Sequence, residues 1–246
     1  MTTVICFLTR APTPTLLRVA GDVAAAAPQG TRVAIMCDAP PAATAATPPT
    51  GVTFMHVSDA EATEAGYHHS SVLVDWHKPC IAWDKALYAF ARVDRAADFV
   101  WFVEDDVFVP SAGQLLAIAS SVAARGADYA CQGDRANPTG DTSTWHWHLM
   151  RSYLPPPWHE SLIMLCGMGR RLLDAIDDTV RAKGRLTFIE MMFNTLAAHR
   201  GLVVTDIPEI AHLTWNGAGA SAVAGRFFHP VKDEAMYARL YGGAAG

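Results

Sequence analysis

The feature of this chain that most constrains its fold is an apolar segment interrupted by three consecutive carboxylates. Residues 99–110 have the sequence FVWFVEDDVFVP, in which aromatic and β-branched residues surround Glu104, Asp105 and Asp106. An apolar run of this kind is typical of a strand buried on both faces, as in a parallel sheet. Adjacent carboxylates repel one another and are costly to bury unpaired, so an oxygen-preferring cation such as Mg²⁺, Mn²⁺ or Ca²⁺ would stabilise them. The alternative is an acidic turn that simply ends the strand.

The composition supports a substantial hydrophobic core. The chain has 246 residues, of which 51% are hydrophobic and 17% charged, and this length suits one large α/β domain or two small ones. The net charge is −5 and no long basic run occurs, so neither a nucleic acid nor an anionic membrane is an expected partner. No apolar stretch has the length of a bilayer-spanning helix, which predicts no integral membrane segment.

The cysteine pattern favours a reducing compartment. The five cysteines are odd in number, widely spaced and without a C-x-x-C pair, which predicts buried free thiols instead of a disulfide framework or a zinc site. The first ten residues also lack the basic leader and the long apolar core of a signal peptide. These features together predict a cytoplasmic location.

Strands and helices alternate along the first half of the chain. Strands are predicted at residues 4–8, 33–37 and 52–57 and in the apolar run that the acidic cluster closes, and helices at residues 13–27, 81–93 and 111–125. This alternation favours a parallel sheet with right-handed crossovers. The second half is less regular, with strands predicted at residues 128–132, 162–166 and 202–206 and helices at residues 170–183 and 187–199.

Polar side chains follow four of the predicted strands. Arg10, Asp38 and Asp59 come just after the first three strands, and the acidic cluster ends the fourth. Ligands of α/β sheets bind outside the carboxyl ends of the strands. The sequence therefore predicts that these four polar sites converge on one crevice.

An acidic cluster of the D-x-D type at the end of an apolar strand resembles the metal and nucleotide-sugar motif of GT-A glycosyltransferases. The resemblance implies a GT-A-like single α/β domain over residues 1–246, with a mostly parallel central sheet flanked by helices. Its nucleotide-sugar-binding half would be residues 1–127, and its acceptor-binding half residues 128–246, including a C-terminal lid segment. The implied reaction transfers a sugar from a UDP- or GDP-sugar to a hydroxyl acceptor such as a glycan, with inversion and with Mn²⁺ or Mg²⁺ as cofactor.

The same resemblance implies roles for the acidic cluster and for the C-terminal region. Asp106 would bind the metal, while Glu104 and Asp105 would face the ribose and the donor sugar. GT-A enzymes often supply a late histidine as a further metal ligand and a nearby cation for the diphosphate. His229 and Lys232 match that arrangement, with His212 as the second choice of ligand.

Further donor contacts are expected from the chain segments that precede the acidic strand. By resemblance these are Thr9, Arg10 and Asp38 after the first two strands, and Lys78 and Asp84 near the start of helix 81–93. The alternative for the last segment is an ordinary amphipathic helix whose Asp84 and Lys85 are solvated.

Glu190, at the start of the helix predicted at 187–199, resembles the general base of inverting GT-A enzymes. The alternative is structural, because Thr187-x-x-Glu190 is also a capping-box pattern.

A group of tryptophans in the second half offers flat apolar faces for an acceptor sugar. These residues are Trp145, Trp147 and Trp158. The alternative is that the rings are buried beneath the proline-rich loop around them.

Two other functions compete with the glycosyltransferase interpretation. A sugar-phosphate nucleotidyltransferase also needs acidic residues and a metal, but such enzymes usually carry a glycine-rich basic loop after the first strand, and residues 9–15 contain no glycine. A non-catalytic carbohydrate-binding protein would use the tryptophans but has no use for the acidic strand end.

Overall fold

A seven-stranded sheet forms the centre of the molecule. The computed structural model describes residues 1–40, 46–71, 80–144, 146–211, 213–214 and 225–243. The strands are β1 (Thr3–Thr9), β2 (Thr31–Cys37), β3 (Val52–Met55), β4 (Phe99–Glu104), β5 (Tyr129–Asn137), β6 (Trp158–Gly169) and β7 (Val204–Asp206). Their order across the sheet is β3-β2-β1-β4-β6-β5-β7.

The strand directions confirm the predicted α/β class with a mostly parallel sheet. The first four strands are mutually parallel, and β7 is parallel to β5. Only β6 runs against its two neighbours, β4 and β5. Because β6 joins β4 to β5, the strands from the two halves of the sequence form one continuous sheet.

Helices cover both faces of this sheet. They are α1 (Pro14–Ala26), α2 (Asp59–Glu64), α3 (Ala82–Tyr88), α4 (Ala112–Ala124), α5 (Arg170–Lys183), α6 (Ile189–His199) and α7 (Glu234–Gly243). A π-helical turn continues α3 through Ala89–Val93. Short 3₁₀ turns lie at Trp147–Leu149 and Pro208–Ile210.

Local sequence signals explain where the helices on one face begin. Thr13 caps α1 by accepting a hydrogen bond from the Leu16 amide, and a proline occupies the first helical position. Ser111 caps α4 by accepting from the Gln114 amide in the same way.

The central strands are buried on both faces, as their continuous apolar sequences predict. In β4, Val100 and Phe102 pack into the core beneath α3, α5 and α6. Phe99, Trp101 and Val103 point to the opposite face and pack with α1, α4 and α7. Period-two alternation thus distributes a strand that is apolar throughout between two separate cores.

All five cysteines are buried free thiols. Burial raises the pKa of the Cys37 thiol and of the Cys80 thiol to about 11. Within the described part of the chain, none of the helices has the length and apolar character needed to cross a bilayer.

Candidate functional site

The carboxyl ends of three parallel strands meet at one edge of the sheet. Leu8 of β1 pairs with Glu104 of β4, and Thr9 pairs with Cys37 of β2, which brings the residues after each strand together. A cavity of about 480 Å³ opens at this edge. Its walls include Thr9, Arg10, Asp38, Trp83, Glu104, Asp105 and Asp106. We call this cavity the strand-end crevice.

Hydrogen bonds orient the first two carboxylates of the acidic cluster. The Trp83 indole N–H donates to Glu104 Oε1 at 2.6 Å, and the Thr9 hydroxyl donates to Asp105 Oδ2 at 2.5 Å. The bond from Trp83 to Glu104 is a contact that the sequence did not reveal. Burial raises the pKa of both carboxyl groups, and the charge of Asp106 raises them further. A bound cation would relieve this electrostatic cost.

A buried histidine from the C-terminal region completes the cluster. His229 is only 7% exposed. Its Nδ1 lies 2.6 Å from the Thr214 carbonyl oxygen, which can only accept, so Nδ1 carries the proton. Its Nε2 lies 3.3 Å from Asp106 Oδ1 and 3.7 Å from Glu104 Oε2. Burial lowers the pKa of His229, but the neighbouring carboxylates and the Thr214 carbonyl outweigh it, so the net pKa is raised.

Glu104, Asp106 and His229 together could hold a metal ion. One ligand atom from each lies within 4.8 Å of the others. Two carboxylate oxygens and one imidazole nitrogen form a donor set that suits a divalent cation. The Nδ1–H to carbonyl bond also gives the histidine the fixed tautomer and ring orientation that metal-binding histidines usually have. The residues present therefore fit the metal that the sequence implied.

Backbone hydrogen bonds hold His229 against the acidic cluster. Phe108 and Phe228 form an antiparallel bridge, and the Val231 amide donates to the Asp106 carbonyl at 2.7 Å. Lys232 follows, 79% exposed, with Nζ 3.9 Å from Asp106 Oδ2. The structure thus brings Asp106, His229 and Lys232 together. The lid remains a prediction, because residues 215–224 lie outside the described chain.

A buried lysine that the sequence did not reveal lies behind the crevice. Lys85 is 1% exposed, and its Nζ bonds Asp38 Oδ1 at 2.9 Å and Asp59 Oδ1 at 2.6 Å. It also donates to the Asp38 backbone carbonyl. Burial lowers the pKa of Lys85, but the two carboxylates outweigh it and the net pKa is raised. The alternative of an amphipathic helix with a solvated Lys85 is therefore wrong. Lys85 fixes Asp38 at the end of β2.

Asp84 was expected to contact the donor, but the structure gives it a structural role instead. Asp84 is fully buried. One of its oxygens accepts from the Ser70 amide at 3.0 Å and the other from the Ile81 amide at 2.8 Å. With both oxygens bonded to backbone donors, Asp84 caps α3 and ties it to the segment before residue 72. Burial raises its pKa to about 6, although these hydrogen bonds oppose the shift.

This raised pKa predicts a specific pH dependence of stability. The folded protein holds the Asp84 proton up to about pH 6, whereas the unfolded chain releases it near its usual value of 3.8. As the pH rises through this window, we expect the Asp84 contribution to the free energy of unfolding to fall by about 3 kcal/mol. Asp84→Asn cannot ionise, so urea unfolding at pH 4.5 and pH 7 should show a smaller loss for this variant than for the wild type. Parallel losses would contradict the prediction.

Glu190 lies in the first turn of α6, but the capping-box alternative is wrong. The helix begins at Ile189, with Phe188 at the N-cap position and no side-chain cap. Thr187 therefore precedes the cap, and the reciprocal bonds of a capping box do not form. The catalytic role of Glu190 stays a prediction.

The described tryptophans of the acceptor half are buried. Trp147 is 3% exposed and Trp158 is 2% exposed, and their rings stack at 6.3 Å between centroids. They form a small core with Met150, Phe188 and Met191. The expectation that these two rings are an exposed sugar platform is therefore wrong. Trp145, Lys78 and His212 lie outside the described residues.

No protein-family model matches the chain, and a search of curated proteins finds no match. Among solved structures, the fold is similar to that of mouse xyloside xylosyltransferase 1 in its apo form. That comparison covers 93% of this chain and 97% of the mouse chain, at 10% sequence identity and a TM-score of 0.46.

Proposed function

We propose that this protein is a metal-dependent glycosyltransferase that uses a UDP- or GDP-sugar and a hydroxyl acceptor such as a glycan. The observation that carries the proposal is the group formed by Glu104, Asp106 and His229, of which the two carboxylates line the strand-end crevice. Mn²⁺ suits this group better than Mg²⁺, because one of the three donors is an imidazole nitrogen and Mg²⁺ strongly prefers oxygen.

The proposed donor site lies in residues 1–127 together with the C-terminal segment. Arg10 and Asp38 would contact the nucleoside end of the donor, because both line the crevice. Thr9 and Trp83 would act indirectly, by fixing the carboxylates of Asp105 and Glu104. A bound divalent cation would supply positive charge against the diphosphate leaving group.

The acceptor would bind the half formed by residues 128–246. We propose that Glu190 takes the proton of the acceptor hydroxyl, with attack from the face opposite the leaving group and inversion at the anomeric carbon. The support for this role is the position of the carboxylate in the first turn of α6. A cytoplasmic location is proposed from the five unpaired thiols.

The competing functions explain fewer of these features. A nucleotidyltransferase needs a backbone cradle for a triphosphate after the first strand. Here that segment instead leads into the Thr13 cap and the proline that begin α1. A binding protein would need neither three potential metal ligands nor the bonds that orient them.

Nucleotide release from a panel of UDP- and GDP-sugars, with Mn²⁺ or with EDTA, tests the proposal directly. A glycosyltransferase should hydrolyse one donor slowly without an acceptor, and only with the metal. Release of pyrophosphate from a nucleoside triphosphate and a sugar phosphate would identify a nucleotidyltransferase instead. Sugar binding without either reaction would favour the binding protein.

Lys232→Ala should weaken nucleoside diphosphate binding if Lys232 contacts the diphosphate. We expect a loss of about 1.5 kcal/mol, or roughly tenfold in affinity, at the low end for a charged hydrogen bond because this side chain is largely solvated. Titration calorimetry with UDP and GDP in Mn²⁺ measures the change. Lys183→Ala removes an exposed lysine of α5 and serves as the control. Equal affinities in the two variants would remove Lys232 from the site.

A further inference from the structure

The turn that carries Asp106 is bonded to the C-terminal segment along its length. Phe108 bonds Phe228 and the Asp106 carbonyl accepts from the Val231 amide, as described above. In addition, the Tyr237 hydroxyl donates to the Val107 carbonyl at 3.0 Å and accepts from the Val109 amide at 3.0 Å. The backbone groups of Val107 and Val109 thus both meet one side-chain oxygen. This oxygen lies about 130 positions further along the chain.

The surroundings of Tyr237 leave its hydroxyl little freedom. Tyr237 is 7% exposed, and its ring packs edge-on against Phe108 at 5.1 Å between centroids. It also lines a second cavity of about 290 Å³, on whose wall Asp105, Asp106 and Lys232 lie. Burial raises the pKa of Tyr237 well above its usual range, so the hydroxyl keeps its proton and remains a donor.

Contacts at both ends of α7 fix this helix to α1. At the start of α7, Glu234 Oε1 accepts a hydrogen bond of 3.1 Å from the Thr15 amide of α1. Near its end, the Tyr241 hydroxyl donates to Asp22 Oδ2 at 2.8 Å, and the Arg18 guanidinium lies 4.7 Å from the Tyr241 ring centroid. The helix is therefore held independently of the acidic turn, and it can act as a rigid support for that turn.

We infer that Tyr237 is a positioning residue for the metal site, which acts by fixing the backbone on both sides of Phe108 and hence the direction of the Asp106 carboxylate. Among the described residues, the Tyr237 hydroxyl bonds the backbone of Val107 and Val109 and no candidate ligand side chain, and Tyr237 does not line the strand-end crevice, so its effect is indirect. The inference rests on the proposed function, because it concerns the same acidic cluster.

Two tyrosines on one helix provide a matched experiment. Tyr237→Phe and Tyr241→Phe each remove a hydroxyl from a nearly buried ring of α7, and both variants should lower the thermal midpoint. Only Tyr237→Phe should weaken Mn²⁺ binding in the presence of UDP or GDP, by about tenfold, the lower end of the range for residues that orient metal ligands. Electron paramagnetic resonance of free Mn²⁺ measures this affinity.

Each outcome has a distinct meaning. Equal Mn²⁺ affinity in Tyr237→Phe and the wild type would overturn the positioning role while leaving the proposed function intact. Absence of Mn²⁺ binding by the wild type would overturn the proposed function, and this inference with it. Tyr237→4-aminophenylalanine keeps a donor for the Val107 carbonyl, so it should recover part of the affinity and provides the comparison if the phenylalanine variant does not fold.

Discussion

Asp106→Asn is expected to abolish metal-dependent nucleotide binding and to reduce sugar transfer by about 10³-fold or more. The substitution keeps the shape of the side chain but removes the negative charge that faces His229 at 3.3 Å. It should leave the fold intact, because the bond from the Val231 amide uses the backbone carbonyl of residue 106 and not its side chain. Titration calorimetry with UDP and GDP should then give the same weak affinity in Mn²⁺ as in EDTA.

Asp178→Asn provides the control for this experiment. Asp178 is an exposed carboxylate of α5, and its Oδ2 lies 3.9 Å from the Arg200 guanidinium. Its substitution should leave nucleotide affinity unchanged. If Asp106→Asn retained the full difference between Mn²⁺ and EDTA, the acidic cluster would have no role as a metal site.

Glu190→Gln is the second substitution with a large expected effect. If Glu190 accepts the proton of the acceptor hydroxyl, glutamine cannot replace it, and turnover should fall by about 10²- to 10⁴-fold, the usual contribution of a general base. Nucleotide affinity and the thermal midpoint should change little, because glutamine preserves the shape of the side chain. Initial-rate measurements with saturating donor and acceptor, together with calorimetry, separate the two effects.

The stereochemistry of the product gives an independent check. Base catalysis by Glu190 requires an inverted anomeric configuration, which NMR of the first turnovers reads directly. Glu64→Gln, an exposed residue of α2, controls for the loss of a surface charge. Retained configuration, or a Glu190→Gln enzyme at the wild-type rate, would leave Glu190 without the proposed role.

The sequence predicted those features that depend on local pattern. The apolar run before Glu104 specified a strand buried on both faces, and the polar residues that follow parallel strands specified one shared edge. Once the strands are parallel, their carboxyl ends must meet, so Arg10, Asp38 and the acidic cluster were located without knowledge of the side-chain packing.

Features that depend on long-range packing were not predictable in this way. Asp84 and Lys85 are adjacent in sequence and both look solvated, yet each is buried by partners that come from other elements. The partners of Lys85 lie on two other elements, Asp38 just after β2 and Asp59 at the start of α2. A sequence pattern gives the position of a residue along a helix, but it does not say what packs against that position.

The tryptophans are a second case in which burial could not be predicted from the sequence. A large amphipathic ring suits either a sugar-binding surface or a core, and composition does not distinguish the two uses. The antiparallel pairing of β6 with β5 places Trp158 opposite Asn137, and the 3₁₀ turn brings Trp147 against it. This non-local pairing, together with the side chains of Met150, Phe188 and Met191, buries the two rings.

Burial of all five cysteines makes the native chain almost inert to thiol-directed reagents at neutral pH, because a reagent needs both access and the thiolate. A cysteine introduced at an exposed position, such as Ser120→Cys, would therefore be labelled without removal of any native residue. The slow rate at which a reagent labels the native thiols would, in turn, measure how often the core opens. The protein thus carries its own reporters of unfolding on each side of the sheet, with Cys6 under one helical layer and Cys37 under the other.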